Sequence, residues 1–124
     1  MSKDKTILFS EPSETISKEL STYLAERDYS IITVRTLGET LLTLQNNRID
    51  ALILDAGLLE EEWGFIAVIK GMEHELPVIV CAEENTPILE SRIRQQGIFY
   101  YHIKSFGVED LEMAIANAVN GLIT

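Results

Sequence analysis

Two kinds of segment alternate along the chain. Short apolar runs occur at Thr6–Phe9, Ile31–Val34, Ala51–Leu54, Val78–Cys81 and Phe99–Ile103, rich in Ile, Val, Leu and aromatic residues. Their apolarity is continuous rather than alternating, the pattern of strands buried on both faces of a parallel sheet. Between the runs the apolar spacing becomes helical. Ile16, Leu20, Tyr23 and Leu24 form one stripe, Leu37, Leu41 and Leu44 a second, and Phe65, Ile69 and Met72 a third. The longest stripe comprises Val108, Leu111, Ile115, Ala118, Val119 and Leu122.

The punctuation agrees with these elements. Thr36 and Glu39 have the spacing of a capping box, in which a hydroxyl and a carboxylate each satisfy a free backbone N–H. Thr86 before Pro87 suits an N-cap followed by proline at the first helical position. Gly97 stands where a helix should end, and glycine takes a left-handed cap at little cost. Five β/α pairs with short connections follow, with no repeats or linkers. The expected fold is α/β: a single doubly wound domain, with a five-stranded parallel sheet in order 2-1-3-4-5 and helices on both faces. The domain is expected to span residues 1–124, its core lying at about residues 5–120.

Composition narrows the function classes. A chain of 124 residues, 46% hydrophobic and 24% charged, can build one core without disulfides. Cys81 is the single cysteine and has no internal partner, so a cytoplasmic setting is expected. No apolar run approaches the roughly eighteen residues of a membrane span, and Met1–Lys5 does not resemble a signal peptide. The formal charge of −10 argues against direct contact with nucleic acid or anionic membrane, and fits a basic partner, a bound cation or simply good solubility.

In doubly wound sheets the working site lies outside the carboxyl ends of the strands. Ser10 and Glu11 follow the first run, Asp55 the third, Ala82, Glu83 and Glu84 the fourth, and Lys104 the fifth. The expected strand order brings Glu11, Asp55 and Lys104 to one rim. Two carboxylates could hold Mg²⁺, a carboxylate can attack phosphorus to give an acyl phosphate, and an ammonium can neutralise a phosphoryl oxygen. Solvated strand-end carboxylates are the alternative.

The segments Ile7–Pro12, Asp50–Asp55, Pro77–Ala82 and Gly97–Phe106, with the spacing between them, resemble the receiver domain of two-component response regulators. The resemblance implies a flavodoxin-like fold and a phosphorelay signalling role without enzymatic turnover. It makes Asp55 the phosphoacceptor and Lys104 the phosphate-binding lysine. Mg²⁺ would be held by Glu11, Asp55 and the Gly57 backbone carbonyl, with Ser10 a weak contributor. Position 82 would carry the hydroxyl that follows the phosphoryl group, and Tyr101 would be the aromatic switch. A sensor histidine kinase or other signalling protein would be the partner. The fourth helix, fifth strand and fifth helix would form the interaction or homodimer face, with His102 and Phe106 exposed on it.

Several residues depart from the pattern. Ser10 replaces an acid, which weakens metal binding, and Glu11 carries an extra methylene that shifts its oxygens. Ala82 has no hydroxyl, so coupling of Asp55 chemistry to Tyr101 is expected to be broken and Tyr101 to hold one rotamer. Ser105 replaces a proline that usually follows a cis bond; a cis bond before serine costs about 3 kcal/mol, so a trans bond is expected, which bears on the reach of Lys104. The acidic run Glu60–Glu62 and Trp63, with Glu83 and Glu84, adds negative charge near the site.

Three functions compete: a phosphorylatable receiver with impaired switching, a non-phosphorylated pseudo-receiver acting as a protein-interaction module, and a small flavodoxin-like cofactor binder. The last has little support, because no Gly-rich phosphate loop follows any run and His74 and His102 lack metal-ligand spacing.

Overall fold

The computed structural model describes residues 5–60, 64–83 and 86–121. Five strands, β1 (Thr6–Ser10), β2 (Ser30–Val34), β3 (Ala51–Asp55), β4 (Val78–Ala82) and β5 (Tyr100–Ile103), form one parallel sheet in the order β2-β1-β3-β4-β5. The expected order and class are therefore observed. Strand boundaries move by one residue, with Ser10, Asp55 and Ala82 joining the strands that precede them.

The continuous apolar runs divide their side chains between two cores. Ile7, Phe9, Ile53, Ile79 and Cys81 pack on one face with Ile16, Leu20, Leu111 and Ile115. Leu8, Leu52, Leu54, Val78 and Val80 pack on the other with Leu44, Leu59, Ile69 and Ile93. Every strand residue of β3 and β4 is buried, as a central strand covered on both sides requires.

The helices are α1 (Thr15–Glu19), α2 (Ser21–Arg27), α3 (Leu37–Asn46), α4 (Ala56–Leu59), α5 (Phe65–Met72), α6 (Pro87–Arg94) and α7 (Glu109–Val119). The first predicted helix is interrupted at Leu20, although its stripe Ile16, Leu20, Tyr23 and Leu24 is buried throughout. The segment after β3 contains the additional short helix α4, which periodicity did not reveal because it is one turn long.

The third stripe needs correction. Ile66 and Ile69 are the buried residues of α5, Phe65 is half-buried, and Met72 lies at the surface. Half of the Thr36–Glu39 box forms: Glu39 N–H donates to Thr36 Oγ1 at 3.0 Å, but Glu39 Oε1 accepts from the N–H of Arg35, one residue before the N-cap, at 2.9 Å. Thr86 does precede α6, but its side chain makes no capping hydrogen bond. Gly97 has φ +86°, in the region that favours glycine. Leu122 lies outside the described residues.

Candidate functional site

Because all five strands are parallel, their carboxyl ends share one rim. With β1, β3, β4 and β5 adjacent, Glu11, Asp55, Glu83 and Lys104 are brought to that rim. Asp55 closes β3 and caps α4, its Oδ1 accepting from Gly57 N–H at 2.7 Å. Glycine is apt there, since a Cβ on residue 57 would stand 3.0 Å from that oxygen. Asp55 Oδ2 accepts from Lys104 Nζ at 2.6 Å, so both carboxylate oxygens have partners.

Lys104 begins a 3-10 turn, Lys104–Phe106, directly after β5. The described residues contain no cis peptide bond, and Lys104 reaches Asp55 without the proline that the resemblance implies. It also contacts Glu83 Oε2 at 3.3 Å. Burial alone would lower the lysine's pKa. The hydrogen bonds and negative charges of Asp55 and Glu83 outweigh it and hold the ammonium above its ordinary value. One cation is thus shared between two carboxylates, and only the Asp55 side of the pair is buried.

Glu11 is oriented elsewhere. Its carboxylate is only 1% exposed and is directed at the start of α1. Oε1 accepts from Ile16 N–H at 2.9 Å and from Thr15 Oγ1 at 3.4 Å. Oε2 accepts from Ser17 N–H at 3.1 Å and Ser17 Oγ at 3.0 Å. These are the free donors of a helix first turn, so Glu11 does the work of a helix cap.

Ser10 is buried and lies 2.7 Å from Thr40 Oγ1 on α3. Thr40 spends its only hydroxyl hydrogen on the Thr36 carbonyl at 2.8 Å, so Ser10 donates and Thr40 accepts. The side chains of Ser10 and Glu11, neighbours in sequence, are thus occupied by two different helices. Of the donors expected to hold Mg²⁺, Glu11 and Ser10 are turned away as arranged: each Glu11 oxygen accepts two hydrogen bonds at α1 and Ser10 bonds to α3, whereas each Asp55 oxygen accepts one bond and keeps further acceptor capacity. Among the described residues, no group of three or more His, Cys, Asp or Glu is arranged to hold a metal.

Ala82 closes β4 and is buried, and Tyr101 is buried on the same face of the sheet. The Tyr101 hydroxyl has no hydrogen-bond partner among the described residues, while Arg94 lies 5.7 Å from its ring centroid. Burial raises the Tyr101 pKa, Glu90 adds to the shift and Arg94 opposes it. Of the residues expected on the interaction face, Phe106 is 74% exposed but His102 is only 2% exposed. His102 alternates with Tyr101 along β5 and therefore points to the opposite face, where its Nδ1 lies 3.1 Å from Asp110 Oδ2. The same oxygen accepts from Tyr100 OH at 2.7 Å.

Sequence reasoning missed Asp110 and Thr40, because no pattern announces a side-chain bond between a strand and a distant helix. A signal did exist for the former: Tyr100 and His102, two residues apart on a strand, must share a face. Cys81 is buried, and burial, followed by the charge of Asp55, pushes its thiol well above the ordinary range, consistent with an inert structural cysteine. Glu61, Glu62, Trp63 and Glu84 lie outside the described residues.

No protein-family model matches this sequence, and no curated protein matches it significantly. Solved structures do. A response regulator from Thermotoga maritima superposes with a TM-score of 0.83 at 18% identity, covering 94% of this chain and 98% of that one. A response regulator receiver domain protein from Clostridium thermocellum gives 0.79 at 24% identity, covering 94% and 95%. The beryllofluoride-activated receiver domain dimer of NtrC4 gives 0.83 at 24% identity, covering 98% of each chain. The chain therefore has the receiver-domain fold, a five-stranded flavodoxin-like sheet with helices on both faces. No helix among the described residues is long and apolar enough to cross a membrane.

Proposed function

We propose that this chain is a receiver-fold signalling module that works as a protein-interaction domain held in one conformation, without phosphorylation of Asp55. The observation that carries this reading is the orientation of Glu11. A carboxylate that takes four hydrogen bonds from Thr15, Ile16 and Ser17 is committed to α1, and freeing it for a metal would cost those bonds. Mg²⁺ demands near-octahedral geometry and dehydrates reluctantly, so it competes poorly for a ligand already satisfied. Ala82 and Tyr101 support the same reading. With no hydroxyl at position 82 and Tyr101 already inside, nothing among the described residues of the site distinguishes two states of the aromatic, and a modification at Asp55 would have no differential contact there through which to shift a population.

A second reading keeps Asp55 as a phosphoacceptor with impaired switching. It rests on the Lys104–Asp55 contact of 2.6 Å, which places a cation where a phosphoryl oxygen of an acyl phosphate would need one. The two separate cleanly. Incubation with acetyl phosphate and excess Mg²⁺, followed by intact-mass and peptide mass spectrometry, should give no adduct on Asp55. A stoichiometric label that disappears in Asp55→Asn would overturn the first reading and establish the second.

In either case the partner is a protein. A sensor kinase or another signalling protein is the class we assign, and the surface formed by α6, β5 and α7 is the face we assign to it, or to a second copy of the chain.

A further inference from the structure

Between β5 and α7 lies a shallow groove of about 670 Å³, set on the same side of the edge strand as Asp110. Its apolar part is formed by Tyr100, Phe106 and Met113, and its rim by Glu109, Asp110 and Asn117. Phe106 and Met113 are 74% and 67% exposed, two of the most exposed large apolar side chains among the described residues. Scattered surface apolar residues need no explanation, but two beside one groove form a patch.

The charge lining it is acidic. Among the described residues no lining residue is cationic, α7 opens with Glu109, Asp110 and Glu112, and residues 105–124 contain no Lys or Arg. Arg94 is near enough to act on Tyr100, but it is paired with Glu90 at 2.6 Å. Asp110 is held in place by two groups at once, His102 Nδ1 and Tyr100 OH. Its burial favours the neutral acid, but the hydrogen bonds from His102 and Tyr100 outweigh that and hold it below the ordinary carboxylate range. It is therefore an anion at neutral pH, fixed in orientation and still 36% exposed at its side chain.

We infer that this groove is a docking site for a basic amphipathic segment of a partner protein, one that places a large apolar side chain between Phe106 and Met113 and a Lys or Arg against Glu109 and Asp110. Charge complementarity selects this occupant over a second copy of the chain. A second copy would bring another acidic α7 or a chain of net charge −10, whereas a cationic segment is steered to the site. An apolar centre with a charged rim is also the anatomy of a specific interface. The inference deepens the interaction-module reading, but its test does not pass through Asp55, so either can fail alone.

The probe is a synthetic amphipathic Lys/Leu helical peptide, titrated into the ¹⁵N-labelled full chain and followed by amide shifts. A Lys/Ser peptide of equal charge and a Glu/Leu peptide of equal pattern serve as controls. Shifts should concentrate at Tyr100, Phe106 and residues 109–117 with the Lys/Leu peptide alone, and weaken with added salt. Phe106→Ser combined with Met113→Ser should weaken binding about tenfold. Both positions are exposed, so the fold should survive, and Glu109→Lys provides an independent surface variant with the same expected direction. The inference is overturned if the Lys/Leu peptide does not bind, if Lys/Ser binds equally well, if shifts spread over the other acidic surfaces, or if the variants bind unchanged.

Discussion

Glu11 offers the sharpest test of how this site is built, because two accounts of it predict opposite signs. If it is a cap for α1, Glu11→Ala leaves the N–H groups of Ile16 and Ser17 without their acceptor beneath a buried surface. Hydrogen bonds to a charged group contribute about 1.5–3 kcal/mol each, so losing the two backbone contacts gives a destabilisation of about 3–6 kcal/mol. The Thr15 contact, at 3.4 Å, is too long to add much. With an unfolding entropy of about 2.1 cal/mol/K per residue, a loss of 3 kcal/mol lowers Tm by roughly 12 °C in a chain this size. Glu11→Gln keeps the shape and one acceptor oxygen and should lose roughly half as much. If instead Glu11 were a ligand awaiting metal, its removal would relieve repulsion from Asp55 and raise stability. The assay is urea and thermal unfolding followed by far-UV circular dichroism, in excess EDTA and then in excess Mg²⁺. A Glu11→Ala chain as stable as the wild type in EDTA, or more stable, would refute the capping account.

Other variants probe the rest of the site. Lys104→Met should cost about 2–4 kcal/mol near neutral pH, because it leaves the buried Asp55 carboxylate without its cation. The folded-state pKa of Lys104 is raised, so its contribution is fully present below the unfolded value of about 10.4 and is lost as pH rises through the folded value. The urea midpoints of wild type and variant should therefore begin to converge above about pH 10.5, and a gap that stays constant to pH 11 would contradict the assignment. Tyr101→Phe removes a buried hydroxyl that has no partner among the described residues, and should stabilise the chain by about 1 kcal/mol in the same assay. A loss of stability would mean that the hydroxyl is satisfied after all.

The fold was legible because its signals are collective. Five continuous apolar runs and four helical stripes all agree on a parallel sheet covered on both faces, and one misplaced residue changes little. The error on α5 shows the scale of what can slip: Met72 continues the spacing of Phe65 and Ile69, but the buried face is centred on Ile66 and Ile69. The site was legible at the level of position and illegible at the level of orientation. Strand ends predicted that Asp55 and Lys104 would meet, and they do, at 2.6 Å. No sequence pattern stated where Ser10 or Glu11 would point. Their directions are settled by whichever donor or acceptor is nearest, and those belong to Thr40, Ile16 and Ser17 on separate helices. His102 was misplaced for a simpler reason: strand alternation puts it on the opposite face from Tyr101, and the edge position of β5 does not expose that face because α7 covers it.

Three of the departures from the receiver pattern, at positions 10, 11 and 82, are better understood together than singly. Glutamate at position 11 has the reach to satisfy the first turn of α1, which a shorter acid would approach less closely. Once Glu11 is committed there, the rim keeps Asp55 and Glu83 with Lys104 as their shared cation, one positive charge against two negative. Serine at position 10 then suits its surroundings, since a carboxylate beside Thr40 would be buried without a cation, whereas a hydroxyl donates to Thr40 and is satisfied. Alanine at position 82 suits the same proposed reading: without a phosphoryl group to follow, a hydroxyl on a buried strand end would need a partner of its own. On the interaction-module reading proposed above, each replacement favours one fixed arrangement, and together they leave fewer free acceptors through which a metal or phosphoryl group would drive the fold between two.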